Sequence, residues 1–154
     1  RTQYALKALQ EAGVEVELLG EEVALWERTL GQERMAALLG VFGDRVECVI
    51  ANNDDMALGA IDALKAAGYF SGVKSIPVIG NDATAAALDA LEQGSLHATV
   101  YNNARLQGDA ALTLAMLLAR GEPVDQTTFS YPMHDKVVYV DSVCITLDNI
   151  DEAQ

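Results

Sequence analysis

Three short apolar runs in the sequence end on side chains able to hold hydroxyl groups: Asn53 beside Asp54, Asp82 after Asn81, and Asn102 beside Asn103. An ionised carboxylate accepts hydrogen bonds, while a carboxamide donates at one end and accepts at the other. Such groups suit vicinal hydroxyls. Hydrogen bonds to a charged partner contribute about 1.5–3 kcal/mol each, and an analogue lacking a hydroxyl leaves the site's polar groups unpaired. Each tip reads equally as a helix cap, because Asn and Asp lead the preferences there. A cap needs one such residue, however, and each tip carries at least two.

Other chemistries find less support. His97 enters a strand and His134 lies in a loop, neither beside a strand-tip Ser or Cys, so no nucleophile–base relay is legible. There is no Gly-x-Ser-x-Gly elbow, Gly-rich phosphate loop or Cys/His metal spacing. The tips are acidic where a phosphate site wants Lys or Arg. Asp54 and Asp82 remain a carboxylate pair of the kind a hydrolase uses. The one tryptophan, Trp26, offers a face that covers the C–H side of a sugar ring, although core packing is the commoner role of a lone tryptophan.

The tips need elements to position them. Val46–Ile50 reads as a buried strand, and Met56, Ala60, Ile61, Leu64 and Ala67 then recur at helical spacing. Asp54 or Asp55 is the expected N-cap and Gly68 the expected C-terminal stop. Ile76–Ile79 leads through Gly80–Asn81–Asp82 into a helix over Ala83–Gln93, and Ala98–Tyr101 leads into a long helix over Ala104–Ala119. Upstream, the pattern predicts a helix over Arg1–Ala12, a half-buried strand of Val14, Val16 and Leu18, a polar loop over Gly20–Arg28, and a helix over Thr29–Leu39. Downstream, Val124–Asp135 reads as loop, and Val137–Val140 and Val143–Thr146 as strands. Strands alternating with helices imply an α/β fold: a parallel sheet with helices on both faces. Ligands bind at the carboxyl ends of such strands, where the tips lie.

The 154 residues amount to one domain's worth. A net charge of −13, with no basic cluster, argues against nucleic acid as a partner. No apolar run reaches the roughly 20 residues of a membrane span. Cys48 and Cys144 sit in apolar runs and read as buried free thiols. The chain begins directly on a helix, so the absence of a leader carries no weight.

The stretches VECVIANNDDMALGAIDALKAAG, IPVIGNDATAAALDALEQGSLHATVYNNA and KVVYVDSVCITLDNI resemble the carboxy-terminal part of the galactose/glucose-binding branch of the type I periplasmic binding proteins. The likeness runs over nearly the whole chain, 1–154, in the same order. It implies the lobe of a Rossmann-like fold, and a protein that binds galactose or glucose reversibly without being an enzyme. It further implies a periplasmic location, delivery to the membrane subunits of an ABC transporter, and contact with a chemotaxis receptor in some bacteria. By position, Arg1 resembles the family's sugar-binding arginine and Trp26 its stacking tryptophan. Asn53, Asp82 and Asn102 resemble its polar ligands.

Glu47 resembles the glutamate completing a calcium site whose remaining loop lies outside this sequence. The amino-terminal lobe and the first strand of this lobe are also absent, and by analogy 103–138 belongs to the other lobe. The chain is therefore expected to be a fragment, or to obtain its missing half from another chain or a rearranged topology. A ligand-sensing domain of a repressor-like regulator is the alternative, and it would need a basic helix-turn-helix upstream.

Overall fold

A computed structural model describes residues 1–125 and 127–153. Its elements run α1 (Thr2–Glu11), α2 (Arg28–Phe42), β1 (Val49–Ile50), α3 (Asp54–Ala66), β2 (Val78–Ile79), α4 (Ala85–Glu92), β3 (Thr99–Asn102), α5 (Ala104–Arg120), β4 (Met133–His134), β5 (Val137–Val138) and β6 (Ser142–Ile145). They form two compact units, Arg1–Val100 with Cys144–Gln154, and Tyr101–Val143.

The first unit is built on α3. Ala57, Leu58, Ala60, Ile61, Ala63 and Leu64 are all buried, because they recur on the helix faces turned to its neighbours. α2 packs against α3 at two glycines. A Cβ on Gly59 would stand 2.0 Å from the Arg28 carbonyl, and one on Gly31 would stand 2.8 Å from that of Met56. Arg28 also clamps Asp62 with two bonds of 2.7 and 3.0 Å, a fork that pushes the guanidinium pKa up.

β1 and β2 pair in parallel, Val49 with Val78 and Ile50 with Ile79. The ladder continues through a parallel bridge between Ile79 and Ala98, with Gly80 N–H donating to Ala98 O at 2.9 Å and Asp82 N–H to Val100 O at 2.8 Å. The strands leading to Asn53 and Asp82 are thus neighbours, with their carboxyl ends at one rim.

In the second unit α5 packs Ala110 and Leu117 on Phe129, flanked by Leu114, Val124, Tyr131 and Val138. Gly121, at φ 66, ends α5 in the left-handed conformation. β4 lies in the stretch expected as loop and pairs antiparallel with β5, which falls within the expected strand Val137–Val140; Gln126 of the loop stretch lies outside the described residues.

Three expectations are corrected. Val14, Val16 and Leu18 form no strand, and the three residues are 48, 51 and 56% exposed. Alternation marks the two faces of a strand, but a ladder also needs a neighbour, and none is alongside. Cys48 and Cys144 are free as expected, yet exposed. Cys48 faces an open groove instead of a closed core, although nearby packing still desolvates its thiol and raises its pKa. Finally, the N-cap of α3 is Asn53, not Asp54 or Asp55.

Candidate functional site

Asp54 explains why Asn53 does the capping. The Asp54 side chain is fully buried, with Oδ1 accepting from Thr99 Oγ1 at 2.6 Å and Oδ2 from Thr84 N–H at 2.7 Å. It ties the start of α3 to β3 and to the turn before α4. Gly80 is needed beside it, since a Cβ there would lie 2.2 Å from Asp54 Oδ1. With both oxygens spent on the protein and no solvent access, Asp54 cannot serve as one of two hydrolytic carboxylates.

The caps separate the tips into two kinds. Asn53 Oδ1 accepts from Met56 N–H at 3.0 Å, a true cap. Thr84, not Asp82, caps α4, and Asn103, not Asn102, caps α5. Asp82 and Asn102 are therefore not held where they are by helix capping. Asp82 is at φ 123 and Ala83 at φ 53, a left-handed region costly for residues with a Cβ. The backbone amides here are secured to β3, that of Asp82 by Val100 O and that of Ala83 by Thr99 Oγ1 at 3.2 Å.

Four of the expected residues gather at the rim of the first unit. Arg1 Nη1 donates to the Asn52 carbonyl, and Nη2 stands 3.6 Å from Asp82 Oδ1. The Arg1 guanidinium carbon lies 5.8 Å from the centre of the Trp26 ring, within cation–π range. Asn53 Nδ2 donates to the Trp26 carbonyl at 3.2 Å, holding a loop in which Leu25 and Trp26 both take positive φ, 49 and 68. Trp26 remains 58% exposed. Arg1 and Asp82 are about two-fifths exposed, at 44 and 39% of their side-chain surface. The rim thus presents a carboxylate, a guanidinium and an open aromatic face, an arrangement able to accept from, donate to and stack upon a small polyhydroxylated ring.

Asn102 belongs to the second unit, where its Oδ1 accepts from Ser142 Oγ at 2.9 Å. Glu47 is exposed just ahead of β1. Among the described residues no three His, Cys, Asp or Glu side chains gather to hold a metal. Sequence reasoning missed Asn52, whose carbonyl takes Arg1 and whose Nδ2 donates to Thr2 Oγ1 at 2.9 Å. Its place in the Asn-Asn-Asp-Asp run was the available signal. The partnership of Asn102 with Ser142 had no signal in local spacing.

The first unit is thus an α/β unit with a polar and aromatic rim at its strand tips, the place where ligands bind in folds of this class. Residues 1–123 match the family model described as periplasmic binding protein domain, and the chain belongs to that family. It is 33% identical over 153 residues to the D-galactose/methyl-galactoside binding periplasmic protein MglB of Haemophilus influenzae, covering 99% of this chain and 44% of the relative. It is 32% identical over 139 residues to the xylitol-binding protein of Mycolicibacterium smegmatis, covering 90% of this chain and 36% of that one.

Among solved structures it resembles an ABC transporter solute-binding protein of Bacillus halodurans with bound myo-inositol. There the TM-score is 0.79 and the identity 33%, over 98% of this chain and 47% of the other. The Caulobacter myo-inositol binding protein bound to myo-inositol matches with a TM-score of 0.79 and 29% identity, over 97 and 47%. The fold is that of the type I periplasmic binding proteins. The chain spans less than half the length of these relatives.

Proposed function

We propose that the protein containing this chain binds a hexose, galactose or glucose, reversibly in the periplasm and delivers it to the membrane subunits of an ABC transporter. The observation that carries this reading is the rim cluster, with the Arg1 guanidinium between the Asp82 carboxylate and the Trp26 ring. Asp82 accepts hydroxyl protons, Arg1 donates, and Trp26 stacks on the sugar's C–H face. Asn53 adds its second amide hydrogen, the first being spent on the Trp26 carbonyl. Asn102 enters through the resemblance. A chemotaxis receptor is a further partner under this reading. Because the ligand groups are neutral, discrimination rests on hydroxyl positions, which the bound or named ligands of the relatives (a galactoside, xylitol, myo-inositol) vary.

Calorimetry on the full-length protein tests this with galactose, glucose, xylitol and myo-inositol. The expected result is tightest binding of a hexose, abolished by Asp82→Ala. Unchanged hexose affinity in that variant would remove Asp82 from the site, and preference for an acyclic polyol or a cyclitol would replace the hexose.

A further inference from the structure

Successive residues at the carboxyl tip of β1 each hold one of the side chains at the rim. Asn53 Nδ2 donates to the Trp26 carbonyl at 3.2 Å, and the Asn52 carbonyl accepts from Arg1 Nη1. The backbone of Asn52 is anchored on both sides. Ala51 N–H before it donates to Ile79 O at 2.9 Å, and Asn53 after it caps α3 by accepting from Met56 N–H at 3.0 Å. The Asn52 carbonyl is therefore a fixed acceptor.

A fixed acceptor orients a guanidinium only if the other end of the arginine is fixed too. Arginine has much rotamer freedom to lose, and Arg1 stands at the N-cap of α1, a helix with no side-chain cap and no buried residue. Packing does little to place that first turn. The Asn52 side chain supplies the restraint, its Nδ2 donating to Thr2 Oγ1 at 2.9 Å. Asn52 thereby grips successive residues of α1: the Arg1 guanidinium with its carbonyl, and the Thr2 hydroxyl with its amide. So held, Arg1 Nη2 comes to 3.6 Å from Asp82 Oδ1, and its guanidinium carbon to 5.8 Å from the centre of the Trp26 ring. A guanidinium carries its N–H donors in one plane, so a bond to a carbonyl sets that plane and leaves donors for a ligand. A group already in place loses less freedom when the ligand arrives.

We propose that Asn52 and Thr2 are positioning residues: the hydrogen bond between them holds Arg1 ready and raises sugar affinity without touching the sugar. This rests on the reading of Arg1 as a donor to a hexose.

Calorimetry on the full-length protein with galactose and glucose tests it. Thr2→Val removes the hydroxyl and keeps the shape, while Asn52→Ala removes the amide and keeps the carbonyl that accepts from Arg1. Each is expected to weaken binding of the preferred hexose about five- to tenfold, the equivalent of one net hydrogen bond. The double variant should lose no more than either alone, since both changes break the same bond. Thr2→Ser, which keeps the hydroxyl, should stay within about twofold of the unsubstituted protein. In an Arg1→Lys background Thr2→Val should cost less than about twofold, because the group it positions is gone. A full-sized loss in that background would mean that the bond does not act through Arg1, and hexose affinity unchanged by Thr2→Val would overturn the proposal outright.

A readout without sugar separates this inference from the reading beneath it. The Trp26 indole N–H resonance, assigned by its loss in Trp26→Phe, reports the guanidinium beside the ring. It is expected to move in Arg1→Lys, to move likewise in Thr2→Val and Asn52→Ala, and to stay in place in Thr2→Ser. A full-length protein that binds neither sugar refutes the hexose reading, and the resonance then decides the positioning by itself: a signal that Thr2→Val leaves unmoved refutes it.

Discussion

Asp82 concentrates the conflict between stability and binding. At φ 123 it occupies backbone space suited to glycine, and its ion pair with Arg1 is two-fifths exposed and so worth little to stability. Asp82→Gly is expected to raise the unfolding free energy by about 0.5–1 kcal/mol in chemical denaturation while removing hexose binding from the full-length protein. A residue kept for folding would show the opposite. Asp125 belongs to a different ledger. Its carboxylate accepts from Thr127 Oγ1 at 2.6 Å and from Thr127 N–H at 2.8 Å, bonds that hold its pKa below the ordinary aspartate value. A pKa lowered by folding stabilises the protein above the unfolded pKa and is lost as pH falls through the folded one. The stability difference between the protein and Asp125→Ala, followed by thermal melting, should therefore shrink on acidification below about pH 4. A constant difference would mean that the charge is irrelevant there.

Two contacts between elements set the geometry of the rim. Asp54 links α3, β3 and the turn before α4, so Asp54→Ala leaves the Thr99 hydroxyl and the Thr84 N–H without their partner in a buried place. Its expected cost is about 2–4 kcal/mol, read from a denaturation midpoint, and a loss under 1 kcal/mol would mean the network is dispensable. At the α2–α3 crossing, Gly59→Ala forces a methyl to within 2.0 Å of the Arg28 carbonyl. The helices must separate, at an expected cost of about 1–3 kcal/mol, whereas Gly108→Ala on α5, which meets nothing within 4 Å, should stabilise. The helices were legible because each carries its own period and stops. Asn53 as cap was not, because choosing it over Asp54 depends on where Thr84 and Thr99 arrive from 30 and 45 residues away. The strand of Val14–Leu18 failed for the same reason: its alternation is local, but its pairing is not.

At the scale of the molecule, strand–helix alternation carried the α/β fold, and the Asn-Asn-Asp-Asp run carried the family. Of the positions that the resemblance marks, Arg1, Trp26, Asn53 and Asp82 gather in one unit. Their interplay was not legible, since no spacing shows that Asn53 holds the Trp26 loop while Asp82 and Trp26 both contact Arg1. The chain covers less than half the length of its relatives, so the proposed binding is tested on the full-length protein. A crystal structure of that protein with a hexose tests the central claim directly. The expected result is sugar hydroxyls within about 3 Å of the Asp82 carboxylate and the Arg1 guanidinium, with the pyranose ring lying on the Trp26 face. A hexose bound elsewhere, with Arg1 still paired to Asp82 and Trp26 uncovered, would contradict it.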